Sequence, residues 1–268
     1  MNDRPIGVFD SGIGGLTVAK EIMKLLPNES IIYLGDTARV PYGSRSKEVI
    51  LTFAKELVNF LLEKKVKCLV IACNTISATC FEEIKKMSPV PVIGVVDPAV
   101  KKAVSVTKNK KIGVIGTNGT INSKAYENKI HSLDSVIEVI SVGCPLFVPL
   151  AEEGLSTHKA AKSIAEDYLN HIRKSNVDTL ILGCTHYPLL METIRGAVGE
   201  DVVLIDSAEP TAGALKKLLD VEGLISDNTK STLQVYVTDA PEKVIEVASR
   251  FFGEKLNGSL KKITLPTL

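Results

Sequence analysis

No sign of charge dominates this 268-residue chain: 32 lysines and arginines stand against 31 aspartates and glutamates, leaving a net charge of +1. That balance provides no field for gripping a phosphate backbone or an anionic surface, so neither nucleic acid nor membrane is expected as a partner. Long apolar runs are missing too, since no stretch approaches the roughly 18 uninterrupted residues of a membrane-spanning helix. The opening "MNDRPIGVFDSG" lacks the basic-then-apolar order of a secretory leader. A soluble cytoplasmic protein is expected. Cysteine is sparse: Cys68, Cys73, Cys80, Cys144 and Cys184 form an odd set with no CxxC pair. Such a set suits neither a disulfide framework nor a structural zinc site, so free thiols and no metal are expected. Cys68, Cys80 and Cys144 read as small buried hydrophobes. Low-complexity and Pro-rich linkers are absent, and the length suits one large α/β domain or two smaller lobes.

What is present is an alternation. Short Val- and Ile-rich runs predict strands at "IGVFD" (6–10), "IIYLG" (31–35), "CLVIA" (68–72), "PVIGVV" (91–96), "KIGVIG" (111–116), "VIEVI" (136–140), "TLILG" (179–183), "VVLID" (202–206) and "LQVYVT" (233–238). Helical periodicity fills most gaps, the signature of βαβ units and parallel sheets. Between 46 and 64, Ile50, Phe53, Leu57, Phe60 and Leu61 fall on one helical face behind a possible Ser46 cap. Pro188 and Pro241 stand where a first helical turn tolerates a missing N–H.

The sequence also echoes itself. "IGVFDSGIGG" (6–15) resembles "IGVIGTNGT" (112–120), and "LVIACNT" (69–75) resembles "LILGCTH" (180–186), in the same order and at nearly the same separation. The expected fold is α/β with two pseudo-symmetric lobes, each a mostly parallel sheet flanked by helices, and a cleft between them. Residues 98–206 would form the second lobe; residues 1–97, completed by a returning tail at 207–268, would form the first.

Cys73 and Cys184 each close a buried-strand pattern, and open α/β sheets bind ligands beyond the carboxyl ends of their strands. Each is followed by small polar residues, Asn74 and Thr75 or Thr185 and His186, just before a predicted helix start that would offer N–H donors and lower a thiol's pKa. Two thiols in matching contexts point to a paired function. "DSGIGGLTV" (10–18) completes neither GxGxxG nor a P-loop. Its glycines read either as a tight strand-to-helix turn or as a backbone cradle for a small anion beside Asp10 and Ser11. The polar segment "GDTARVPYGSRS" (35–46) reads as a binding loop able to offer Tyr42, Gly43 and Ser44. His186 suggests Cys–His chemistry at Cys184 but leaves Cys73 idle, and "CTH" supplies too few ligands for a metal. His131, His158 and His171 lie in polar helical segments and read as surface, as does Glu152 taken by itself.

Taken in order, "FDSGIGGLTV", "LGDTARVPYGSRS", "ACNTISA", "CPLFVPLAEEG" and "LGCTHYPLL" resemble the glutamate racemases, cofactor-independent members of the aspartate/glutamate racemase family that supply D-glutamate for bacterial peptidoglycan. The resemblance runs from residue 6 to about 210 and implies a two-lobed homodimer with glutamate held between the lobes. It implies that Cys73 serves D-glutamate and Cys184 serves L-glutamate as acid/base residues, with Asp10 assisting the first and His186 and Glu152 the second. By the same resemblance Asp10, Ser11, Tyr42, Gly43, Asn74, Thr75, Thr117, Thr185 and His186 contact substrate. The segment "GVVDPAV" departs from the family's usual Glu-Pro-Gly or Gln-Pro-Gly. Competing readings are a racemase of aspartate or a hydantoin, a two-lobed amino-acid-binding protein without catalysis, and a cysteine hydrolase.

Overall fold

The computed structural model describes residues 3–252 and 260–266; of the span expected for the first lobe, residues 1–2, 253–259 and 267–268 lie outside that description. The chain begins with β1 (Ile6–Asp10), α1 (Leu16–Leu25), β2 (Ile31–Gly35), α2 (Lys47–Glu63), β3 (Cys68–Ile71), α3 (Asn74–Met87), β4 (Val92–Gly94) and α4 (Val96–Val106). It continues through β5 (Lys111–Gly116), α5 (Asn118–Asn122), α6 (Ala125–Leu133), β6 (Glu138–Gly143), α7 (Phe147–Glu152), α8 (Lys159–Lys174), β7 (Thr179–Gly183), α9 (Met191–Val198) and β8 (Val203–Ile205). Last come α10 (Ala208–Val221), β9 (Leu233–Val237), α11 (Pro241–Phe252) and β10 (Leu260–Lys262).

Two sheets result, both wholly parallel. One runs β10-β9-β2-β1-β3-β4 and the other β6-β5-β7-β8. The paths β2-β1-β3-β4 and β6-β5-β7-β8 are the same path, so the echo in the sequence is an echo in topology. Register sharpens the match: Gly7 lies opposite Leu69 in one sheet and Gly113 opposite Leu180 in the other. From those leucines the chain needs the same four steps to reach Cys73 and Cys184. Helices cover both faces of each sheet, which is why β1, β2, β3 and β7 are buried at every position and read as continuous apolar runs.

On α2 the buried stripe is Ile50, Ala54, Leu57, Val58 and Leu61, with Ser46 capping the start by accepting from the Val49 N–H at 3.5 Å. Phe53 and Phe60 sit at the edge of that stripe. Phe53 lies 4.0 Å beneath the Arg39 guanidinium, and Phe60 packs 5.2 Å from the Tyr236 ring. The second strand of the later lobe starts at Glu138 rather than 136. Asp134 draws the chain into a turn first, accepting from the Val136 N–H at 3.1 Å, and Val136 is left 78% exposed. "PVIGVV" gives only three residues to β4, because Val96 already opens α4 and its N–H reaches Ser77 Oγ at 3.5 Å. In the departing segment, Asp97 occupies the first turn of α4 and pairs with Lys101 at 2.7 Å and Lys129 at 2.6 Å.

After α10 the chain returns to the first sheet, and a buried ion pair marks the route. Lys67, with no exposed surface, meets Glu29 at 2.5 Å and donates to the Leu224 carbonyl at 2.7 Å. The Ser226 N–H donates to the same Glu29 carboxylate at 2.8 Å. Beyond this clasp β9 pairs with β2, and β10 adds a short edge strand that the sequence pattern did not announce.

Candidate active site

The carboxyl ends of β1, β2, β3, β5 and β7 converge, and the loops leaving them, with α7 after β6, build one narrow pocket. Its wall is formed by Ser11, Val40, Pro41, Tyr42, Gly43, Cys73, Asn74, Thr75, Thr117, Val148, Cys184, Thr185 and His186. Both sulfurs therefore face one space. Asp10 and Glu152 stand back from the wall, and the aliphatic lining by Val40, Pro41 and Val148 carried no polar signal by which the sequence could have revealed it.

The two thiols differ in how they are held. Cys73 is the N-cap of α3: its sulfur accepts from the Ile76 N–H at 3.5 Å and donates to Ser11 Oγ at 3.4 Å. Burial, with the nearby Asp10 carboxylate adding to it, pushes this thiol up to about 12. Asp10 is itself fixed at the end of β1, where one carboxylate oxygen accepts from the Gly15 N–H at 2.7 Å. Its other oxygen, Oδ1, is buried without a hydrogen-bond partner.

Cys184 lies before no α-helix start. Pro188 supplies no N–H, and the chain coils instead into a 3-10 turn at Tyr187–Leu190, so α9 opens only at Met191. The helix start expected directly after "CTH" is thus replaced by an imidazole. His186 Nδ1 lies 3.8 Å from Cys184 Sγ, and its Nε2 is 3.1 Å from Glu152 Oε1. Burial works against the charged ring, but the bonds to Cys184 and Glu152 outweigh it and lift His186 to about 10. The protonated ring is thereby favoured, between a carboxylate and a sulfur. Glu152 is half-buried at this contact rather than a free surface acid, while His131, His158 and His171 are exposed.

The binding loop is rigidly built. Tyr42 ends it in a 3-10 turn, its hydroxyl donating to Asp36, a buried carboxylate that also accepts from Arg39 Nε at 2.6 Å and Thr238 Oγ1 at 2.8 Å. Gly43 is pressed against Thr117, where a side chain would have no room. Thr75 Oγ1 meets Thr117 Oγ1 at 2.9 Å, and Thr120 Oγ1 lies 3.1 Å from Thr117, so hydroxyls from both lobes meet at the seam. Asn74 spends both amide hydrogens, on Tyr126 Oη at 2.7 Å and Ser207 Oγ at 2.9 Å, and its Oδ1 is buried without a partner. Sequence reasoning missed Asp36, Tyr126 and Ser207, whose polar tips meet the site only through folding. No cluster of metal-ligating side chains occurs among the described residues.

Together these groups set two thiols at one pocket, an imidazole between one of them and a carboxylate, and hydroxyls and N–H groups suited to a carboxylate. A family model described as Asp/Glu/Hydantoin racemase matches residues 6–215. A glutamate racemase of Geobacter metallireducens is 46% identical over 263 residues, covering 98% of this chain and 97% of its own. The crystal structure of a glutamate racemase isoform from Bacillus anthracis superposes with a TM-score of 0.96 at 42% identity, with 100% of both chains covered. That of a glutamate racemase from Francisella tularensis in complex with D-glutamate gives 0.94 at 40% identity, again over 100% of both chains.

Proposed function

The chain belongs to the Asp/Glu/Hydantoin racemase family, and from that premise we propose that it interconverts L- and D-glutamate without a cofactor, using Cys73 and Cys184 as opposed acid/base groups. The observation that carries the reading is the convergence of two thiols on one pocket, each from the equivalent strand of a repeated lobe. The lobes are taken as 1–97 with 207–268, and 98–206. Inverting a Cα centre requires removing a weakly acidic proton from one face and delivering another to the opposite face. A pair of thiols, one per lobe, meets that requirement.

Cys184, beside a cationic imidazole, is the sulfur placed to accept the Cα proton of L-glutamate; Cys73, held as a thiol by burial and Asp10, is placed to deliver one. The reverse reaction exchanges the roles, with Asp10 Oδ1 available to orient and accept the Cys73 proton. Charge leaving Cα spreads into the substrate carboxylate, where Ser11, Thr75, Thr117, Thr185 and the backbone of Gly43 can stabilise it. Asn74 Oδ1 is suited to the substrate ammonium. Tyr42 closes the loop side of the pocket.

We take the working form to be a cytoplasmic homodimer whose product is D-glutamate for peptidoglycan; no helix among the described residues is long and apolar enough to cross a membrane. Circular dichroism of each glutamate enantiomer, then of aspartate, incubated with pure protein tests the reading. Signal should decay for glutamate and persist for aspartate, with or without a chelator. Cys73→Ala and Cys184→Ala should each lower turnover in both directions by about 10²- to 10⁴-fold; near-normal racemisation by either variant excludes the paired-thiol assignment.

A further inference from the structure

Tyr126, on α6, is 2% exposed and touches both catalytic loops at once. Its hydroxyl accepts from the side-chain amide of Asn74, the residue directly after Cys73, at 2.7 Å. Its ring lies against Gly183, the residue directly before Cys184: a Cβ placed on Gly183 would come within 3.3 Å of Tyr126 Cε2. One rigid side chain thus spans from the neighbour of one sulfur to the neighbour of the other. Ser207, at the junction into α10, takes the second hydrogen of the same Asn74 amide at 2.9 Å.

We infer that Tyr126, with Ser207, is a positioning residue for the racemase reaction: it sets the aim of the Asn74 carbonyl oxygen and the spacing of the two cysteine loops across the lobe seam. This rests on the racemase reading. An amide has two N–H donors and one oxygen. With both hydrogens committed to fixed partners, its oxygen has one available direction, and that oxygen is buried without a partner in a residue lining the pocket. A buried acceptor left open in this way needs a donor to arrive. The ammonium group of an amino acid is such a donor, and its placement fixes where Cα lies between the sulfurs.

Tyr126→Phe keeps the ring on Gly183 and deletes the hydroxyl. Loss of one such hydrogen bond should cost about tenfold in kcat/KM for both enantiomers, most of it as a rise in KM. The decisive readout is a double-mutant cycle with Asn74→Ala, because a residue acting through Asn74 has no further effect once Asn74 is gone. Y126F should cost about tenfold in kcat/KM in the native background and less than twofold in N74A. Ser207→Ala should behave alike. Equal losses in both backgrounds, or a Y126F enzyme within twofold of native, would overturn the inference. The cycle is also read as glutamate affinity by calorimetry, with circular dichroism and thermal unfolding reporting that each variant folds. If native protein bound glutamate but did not racemise it, the racemase reading would fail while the affinity cycle still decided the role of Tyr126.

Discussion

Cys73 and Cys184 are the same residue type in the same pocket, and their neighbours differ. Cys73 is held as a thiol by burial and Asp10, whereas Cys184 faces an imidazole whose protonated form the contact to Glu152 favours. The His186 value lies above histidine's ordinary 6.5, so its charged form is favoured by folding. That contribution to stability is complete below pH 6.5 and is lost as pH rises through about 10. Glu152→Gln removes one of the groups that raise it. The imidazole should then titrate lower, moving the alkaline limb of the kcat/KM profile to lower pH, and nitrogen-15 NMR of His186 should report the same displacement. An alkaline limb unchanged in E152Q would show that Glu152 does not tune His186. The cysteines were legible in the sequence because each follows a strand pattern that occurs twice. Glu152 was not legible from its own surroundings, since its contact to His186 spans 34 residues of sequence separation and is made only when α7 packs beside the 3-10 turn.

Between elements, the critical contact is the approach of the β1–α1 loop to the "CTH" loop. Gly14 lies so close to Thr185 and His186 that a Cβ there would come within 2.8 Å of His186 Nδ1, so the backbone of one lobe packs against the "CTH" loop of the other. Glycine is required here for space rather than for an unusual backbone angle. Gly14→Ala should separate the loops by a fraction of an ångström and lower kcat/KM by about 100-fold, the scale on which small misplacements act. Far-ultraviolet circular dichroism should be unchanged. Near-native kinetics of G14A would mean the loops tolerate separation. The glycine-rich stretch was open to two uses in the sequence, turn or anion cradle, and the structure adds a third, close packing between lobes. Seven of the nine expected strands were read to within one residue at each end, whereas β4 lost residues to the start of α4 and β6 was displaced by the turn at Asp134. β10 escaped because three edge residues carry no periodicity and are defined only by pairing with β9. The helix expected after Cys184 failed at Pro188, where the same ring that can open a helix instead sits in a 3-10 turn.

Across the whole molecule, two copies of one strand path place two thiols at one seam, while the returning tail fastens the first copy. The Lys67–Glu29 pair carries part of that fastening, buried at 0% and 2% side-chain exposure. Lys67→Ala would leave Glu29 in the interior without its cation and should destabilise the protein by about 3–5 kcal/mol, read from urea unfolding midpoints. Lys67→Met with Glu29→Leu should recover much of that loss, whereas equal destabilisation by the pair replacement would show the ion pair itself to be essential. The repeat made this architecture readable from sequence; the clasp was not, because lysine and glutamate ordinarily mark surface. The central claim is that the two sulfurs act from opposite faces, and isotope placement tests it most directly. L-glutamate is incubated with the protein in heavy water, stopped at low conversion, separated from D-glutamate, and both are examined at Cα by proton NMR. Opposed thiols give D-glutamate deuterated at Cα while recovered L-glutamate remains protiated, with the mirror result from D-glutamate. If recovered L-glutamate gains deuterium as fast as D-glutamate accumulates, or the product retains the substrate's protium, a single base serves both faces and the account is contradicted.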